Sequence, residues 1–153
     1  MKFLSERKKN DRPFFAFVAF TSPHDPRNQH PGYGHTYHPE EMELPVNYLP
    51  QHPFDNGELK IRDEVLLPFP RTEEMIRKDL ADYYGMISEV DVQIGRIIQT
   101  LREKGELENT ILIFASDNGL AVGRHGLLGK QNLYEHSISV PLVMVVPGMK
   151  KGV

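Results

Sequence analysis

The chain has 153 residues, enough for one domain with a core of its own. With 39% hydrophobic and 25% charged residues it has the composition of an ordinary globular protein, and its net charge of −3 argues against nucleic acid or an acidic membrane as a partner. No apolar run approaches the ~20 residues of a membrane helix, and the absence of cysteine excludes disulfides and thiolate ligands, so any metal would be held by oxygen or imidazole.

Residues 1–12 are basic and lack the apolar core of a secretory signal, which leaves the compartment open and predicts a poorly ordered start. "PFFAFVAF", Pro13 to Phe20, is a continuous apolar run closed by turn residues and reads as a buried strand. The segment from Thr21 to Leu59 holds most of the twelve prolines, a density at which no helix survives. It is too rich in aromatic and apolar residues for a flexible linker. We expect a long ordered loop region over 21–70, of a length that is usually functional.

From Thr72 the pattern changes. Met75, Ile76, Leu80, Tyr83, Tyr84, Ile87, Val90, Ile94, Ile97, Ile98 and Leu101 recur every three or four residues. The spacing predicts one long amphipathic helix with Thr72 as N-cap and Gly105 as its stop. "NTILIFAS", Asn109 to Ser116, and "SVPLVMVVPG", Ser139 to Gly148, read as a second and third buried strand. Apolar runs that do not alternate, with a helix between the first two, predict an α/β fold with parallel strands covered on both faces.

In open α/β sheets, ligands bind beyond the carboxyl ends of strands. Two polar clusters fall at such ends: Thr21 to Arg27 after the first strand, and Ser116-Asp117-Asn118-Gly119 after the second. Asp117 and Asn118 offer one anionic and one neutral oxygen, a set suited to a hard divalent cation, although Asp-Asn-Gly is equally a strong turn sequence. Lys130 carries a compact charge suited to a phosphate or sulfate oxygen, or else is simply solvated. His24, between two prolines, could donate to an anion or act as a general acid, or could be a hydrogen-bonded turn histidine. The histidines of "HPGYGHTYH", His30 to His38, match no zinc spacing.

Taken together, "FFAFVAFTSPHDPR", "ADYYGMISEVDVQIGRIIQTLREKG", "NTILIFASDNG", "HGLLGKQNLYEHSISVPLVM" and "VPG" resemble, in order, blocks of the sulfatase family within the alkaline-phosphatase-like superfamily. The resemblance implies part of an alkaline-phosphatase-like sandwich with a mostly parallel sheet, here a single partial catalytic domain over 1–153. It implies hydrolysis of small-molecule or carbohydrate sulfate esters. His24 is similar to the family histidine that binds the sulfate group and protonates the leaving oxygen. Lys130 resembles the lysine on the sulfate or ester oxygen. Asp117 and Asn118 resemble residues closing a calcium site, with magnesium or manganese as alternatives. Asn118 favours calcium and sulfate esters, because the related phosphonate and phosphodiester hydrolases often carry histidine there. Asp25, Arg27 and His125 are further substrate-binding candidates, and Glu135 lies beside them.

The chain also departs from the family pattern. It lacks the Cys/Ser-x-Pro-Ser-Arg motif that yields formylglycine, the adjacent aspartate pair and the Lys-x-His segment. The formylglycine nucleophile is therefore not encoded here, and we expect a fragment whose exposed sheet edges invite self-association. Two alternatives stand beside sulfate-ester hydrolysis: a phosphodiester or phosphonate hydrolase of the same superfamily, and a non-catalytic anion-binding fragment.

Overall fold

The computed structural model describes residues 2–8, 12–28, 30, 32, 37–150 and 152. Its regular elements are helix α1 (Lys2–Glu6), helix α2 (Glu73–Glu103), strand β1 (Leu112–Ala115), helix α3 (Glu135–Ile138) and strand β2 (Leu142–Val145). Short 3₁₀ turns occupy Pro39–Glu41, Glu64–Leu66 and Leu107–Asn109. The segment His30–His38 lies largely outside the described residues.

Helix α2 forms where the three-and-four spacing predicts. The Thr72 side chain accepts the Met75 N–H, satisfying one orphan donor of the first turn. At the other end the Gly105 N–H bonds to Arg102 O at 3.0 Å and the Glu106 N–H to Leu101 O at 2.9 Å, with Gly105 at φ +69°. That paired closure needs a left-handed residue, which glycine takes without steric cost. The N-terminal half of α2 carries Ile76, Leu80 and Ala81 into the core, where they meet Met42, Val122 and Leu128. Two non-helical segments, around Met42 to Tyr48 and around Leu120 to Leu128, thus complete the core against one helix face.

Three strand expectations are corrected. Pro13–Phe20 is not a strand, and it is not buried: Phe15 is 91% and Phe17 85% exposed. An apolar run without a neighbouring strand has no ladder to join, so its side chains stay at the surface. β1 and β2 are shorter than the runs that announced them, and their residues are largely exposed as well. They pair antiparallel, with Leu112 opposite Val145 and Ala115 opposite Leu142. Parallel pairing needs a crossover between the two strands. Here the long helix precedes β1, whereas residues 116–141 between β1 and β2 form a loop with a single helical turn, which reverses the chain.

Residues 47–50, within the proline-rich region, bond to the rest of the chain. The His125 N–H bonds to Asn47 O and the Leu49 N–H to Gly123 O. The Arg71 N–H bonds to Pro50 O, and the Tyr48 hydroxyl donates to Arg71 O at 2.6 Å. These bonds satisfy backbone groups that a long loop would otherwise leave unpaired.

Candidate active site

His24 is positioned by its own turn. Its backbone N–H bonds to Thr21 O, and its ring Nδ1–H donates to Asp25 O at 2.9 Å, with Asp25 Oδ1 3.2 Å away. Using Nδ1–H in this way leaves Nε2 as the nitrogen able to accept or carry a proton at the exposed edge. The Asp25 carboxylate is buried, and its other oxygen is bonded by Arg62 Nη2. Arg62 Nη1 donates in turn to Asp63 Oδ1 at 2.9 Å. The second Asp63 oxygen accepts Gln131 Nε2 at 2.8 Å and lies 4.0 Å from Lys130 Nζ. A continuous polar chain therefore joins His24 to Lys130: His24, Asp25, Arg62, Asp63, Lys130.

The backbone under Lys130 is held from the adjacent acid. Glu64 is buried, and its carboxylate accepts the N–H groups of Leu128 at 3.0 Å and Gly129 at 2.7 Å. The same carboxylate takes Arg71 Nη2 at 2.8 Å. Arg71 is fully buried, lies over the Phe69 ring at 4.0 Å, and donates also to Gly126 O and Glu64 O. Burial pulls the Arg71 guanidinium below its ordinary range, partly countered by Glu64. One carboxylate thus serves as the counter-ion of a buried arginine and as acceptor for two loop amides, which is how a buried charge becomes tolerable.

Asp117 and Asn118 sit just past β1. Asp117 Oδ1 accepts the Asn118 N–H at 3.0 Å, and Asn118 Nδ2 donates to Gly119 O at 2.8 Å. That assignment leaves the Asn118 Oδ1 and the second Asp117 oxygen as two hard oxygen donors. They suit calcium or magnesium chemically but supply only two of the six to eight oxygens calcium takes. Among the described residues no group of three or more His, Cys, Asp or Glu could hold a metal ion. The turn is tied to the lysine segment through α3. The Gly119 N–H bonds to Ser137 O at 2.9 Å, Ser137 Oγ donates to Asn132 Oδ1 at 3.0 Å, and the Asn132 N–H bonds to Lys130 O at 2.8 Å. A Cβ on Gly119 would lie 2.0 Å from His136 O, so this close approach requires glycine. Among the described residues no hydrogen bond or ion pair joins Asp117 or Asn118 to His24 or Lys130 directly.

The remaining candidates face elsewhere. The Arg27 side chain is buried and donates to Asp79 Oδ2 on α2 at 2.7 Å. Burial raises the Asp79 carboxyl above its ordinary range, with Arg27 opposing. His125 stacks on Tyr134 with ring centres 4.3 Å apart, and its Nε2 accepts Asn47 Nδ2 at 2.9 Å. Beside it His136 is held down to about 4, first by burial and then by the charges of His125 and Arg124. Glu135 opens α3 and is exposed.

Residues 1–152 match the profile of the Sulfatase family. The chain belongs to the sulfatase family. It is 34% identical over 143 residues to the choline-sulfatase of Rhizobium meliloti, covering 92% of this chain and 28% of that protein. It is 34% identical over 160 residues to human N-sulphoglucosamine sulphohydrolase, covering 95% of this chain and 28% of that one. A solved phosphonate monoester hydrolase of Agrobacterium radiobacter superposes on 96% of this chain and 31% of its own, with TM-score 0.81 and 32% identity. This sulfatase-family chain therefore spans less than a third of the length of the relatives it matches.

Sequence reasoning named both ends of the polar chain and missed its middle. Arg62, Asp63, Glu64, Arg71 and Gln131 all build this part of the sulfatase-family chain, and in sequence the first three show only as a run of adjacent charges, Arg62-Asp63-Glu64.

Proposed function

We propose that these residues form the anion-gripping and leaving-group side of a sulfate-ester hydrolase. The observation that supports this reading is the continuous polar chain from His24 to Lys130, which links a general-acid candidate to an ammonium group. In hydrolysis the S–O bond to the alcohol breaks, water's oxygen ends on sulfur, and the alcohol oxygen gains a proton. Lys130 neutralises charge on the sulfate oxygens, a fixed donor whose removal typically costs on the order of 10²–10³ in rate. His24, with Nδ1–H engaged by Asp25, delivers the proton to the leaving oxygen from Nε2. Asp117 and Asn118 would contribute two oxygen ligands to a divalent cation, calcium by preference, which when bound adds positive charge at the sulfate. Arg27 and His125 act as supports of the loop rather than as direct substrate contacts, since Asp79 and Tyr134 occupy them.

The nucleophile is not among these residues, because the chain has neither a cysteine nor a Ser-x-Pro-Ser-Arg motif. In this reading it, and the remaining cation ligands, come from the two thirds of the family length outside the match. The exposed run Pro13–Phe20 and the β1–β2 pair are where further strands would add to give the larger, mostly parallel sheet expected of the superfamily. The substrate class is a sulfate ester of a small molecule or a carbohydrate. Phosphonate or phosphodiester hydrolysis is the second reading, favoured by the likeness to the phosphonate monoester hydrolase and opposed by Asn118.

Calorimetry with inorganic sulfate and with phosphate tests the proposal on the chain as it stands. We expect binding that Lys130→Ala abolishes, and no turnover of an aryl sulfate. Equal sulfate binding by the Lys130→Ala chain would overturn the assignment.

A further inference from the structure

Within the polar chain, Arg62 is bonded to the carboxylates that pair with His24 and Lys130. Asp25 presents one oxygen to His24 and the other to Arg62; Asp63 presents one oxygen to Arg62 and the other towards Lys130. Arg62 is thus the midpoint of a near-symmetrical arrangement, with its two terminal nitrogens on two different carboxylates. Both carboxylates are almost fully buried, whereas the Arg62 side chain is 59% exposed. The second Asp63 oxygen also accepts Gln131 Nε2.

We infer that Arg62 is a charge-balancing positioning residue, which shares the charge of Asp25 and Asp63 and so weakens the hold of each carboxylate on the candidate site group paired with it. Two close acids with only His24 and Lys130 as counter-ions would bind those two groups tightly, since an ion pair in a partly buried site is strengthened by the low local dielectric. A planar guanidinium spanning both acids removes that competition, and its fork geometry suits it to two carboxylates at once as a lysine would not. His24 and Lys130 then stay available to an external oxyanion. This inference rests on the sulfate-ester reading for what the oxyanion is, but not for the charge balance itself.

Competitive labelling of the 153-residue chain tests it, with acetic anhydride read at Lys130 and diethyl pyrocarbonate at His24. In Arg62→Gln both groups become captured by their acids. We expect each to label about tenfold more slowly, the worth of one charge-assisted hydrogen bond. In the double variant Arg62→Gln/Asp63→Asn, labelling of Lys130 recovers while His24 stays slow, because Asp25 remains unbalanced. A merely structural role for Arg62 gives no such split, and circular dichroism of each variant checks that the fold persists. Unchanged labelling in Arg62→Gln, or a loss at Lys130 that Asp63→Asn fails to reverse, overturns the inference. Inorganic sulfate affinity, measured in parallel, follows the Lys130 labelling. The labelling split without sulfate binding by the unmodified chain counts against the sulfate reading and leaves the charge balance standing.

Discussion

The carboxylate of Glu64 accepts the backbone N–H of Gly129 at 2.7 Å, one residue before Lys130. A residue 66 positions away in sequence therefore sets where the candidate sulfate-binding lysine stands. Glu64 is buried with Arg71, so its loss strands a charge as well as two amides. We predict that Glu64→Ala destabilises the chain by about 3–5 kcal/mol, the cost of breaking a buried pair from one side. Urea unfolding checks it: a midpoint within error of the unmodified chain would show that the clamp contributes nothing.

His136 gives a pH dependence with a definite sign. Its folded value of about 4 lies below the ordinary 6.5, so between those values the unfolded chain binds the proton more readily. The His136 contribution to stability is complete above about pH 6.5 and is lost as pH falls towards 4. Urea midpoints measured across that window should decline with falling pH, and His136→Phe should flatten the decline. A profile unaffected by the substitution would contradict the half-buried, neutral state of this ring.

Gly119 illustrates how tightly the Asp117–Asn118 turn is pressed against α3. We predict that Gly119→Ala costs about 1–3 kcal/mol, as overpacking does, because its Cβ would meet the His136 carbonyl oxygen at 2.0 Å. Thermal unfolding reads the effect. An alanine variant as stable as the parent would mean that the turn and α3 are not in contact.

The apolar surface formed by Phe15, Phe17 and the β1–β2 pair predicts association of the isolated chain. Size-exclusion chromatography with light scattering should show dimers or larger species, reduced by Phe15→Ser/Phe17→Ser. A stable monomer at tens of micromolar would refute this.

What the sequence revealed, and what it withheld, follows from the range of the interactions. Helix α2 was readable because its signals are local: an apolar stripe, Thr72 before it and Gly105 after it. The apolar runs were readable as apolar, but pairing direction and burial depend on neighbours. The 13–20 run has no strand beside it among the described residues, and β1 and β2 meet by a chain reversal rather than a crossover. His24, Asp117, Asn118 and Lys130 stood out through their motifs. Arg62, Asp63, Glu64 and Arg71 did not, because a buried carboxylate that bonds amides 64 and 65 residues away leaves no periodicity.

In the proposed function, His24, Lys130 and the Asp117–Asn118 turn grip a single tetrahedral oxyanion together. Titrating inorganic sulfate into the isotope-labelled chain in the presence of calcium, while following the His24 ring, the Asn118 side-chain amide and the Lys130 ammonium by NMR, tests it most directly. The account predicts that all three signals move with one dissociation constant and that Lys130→Ala silences the other two. Signals that titrate with unrelated constants, or a response at only one of the three, would contradict it.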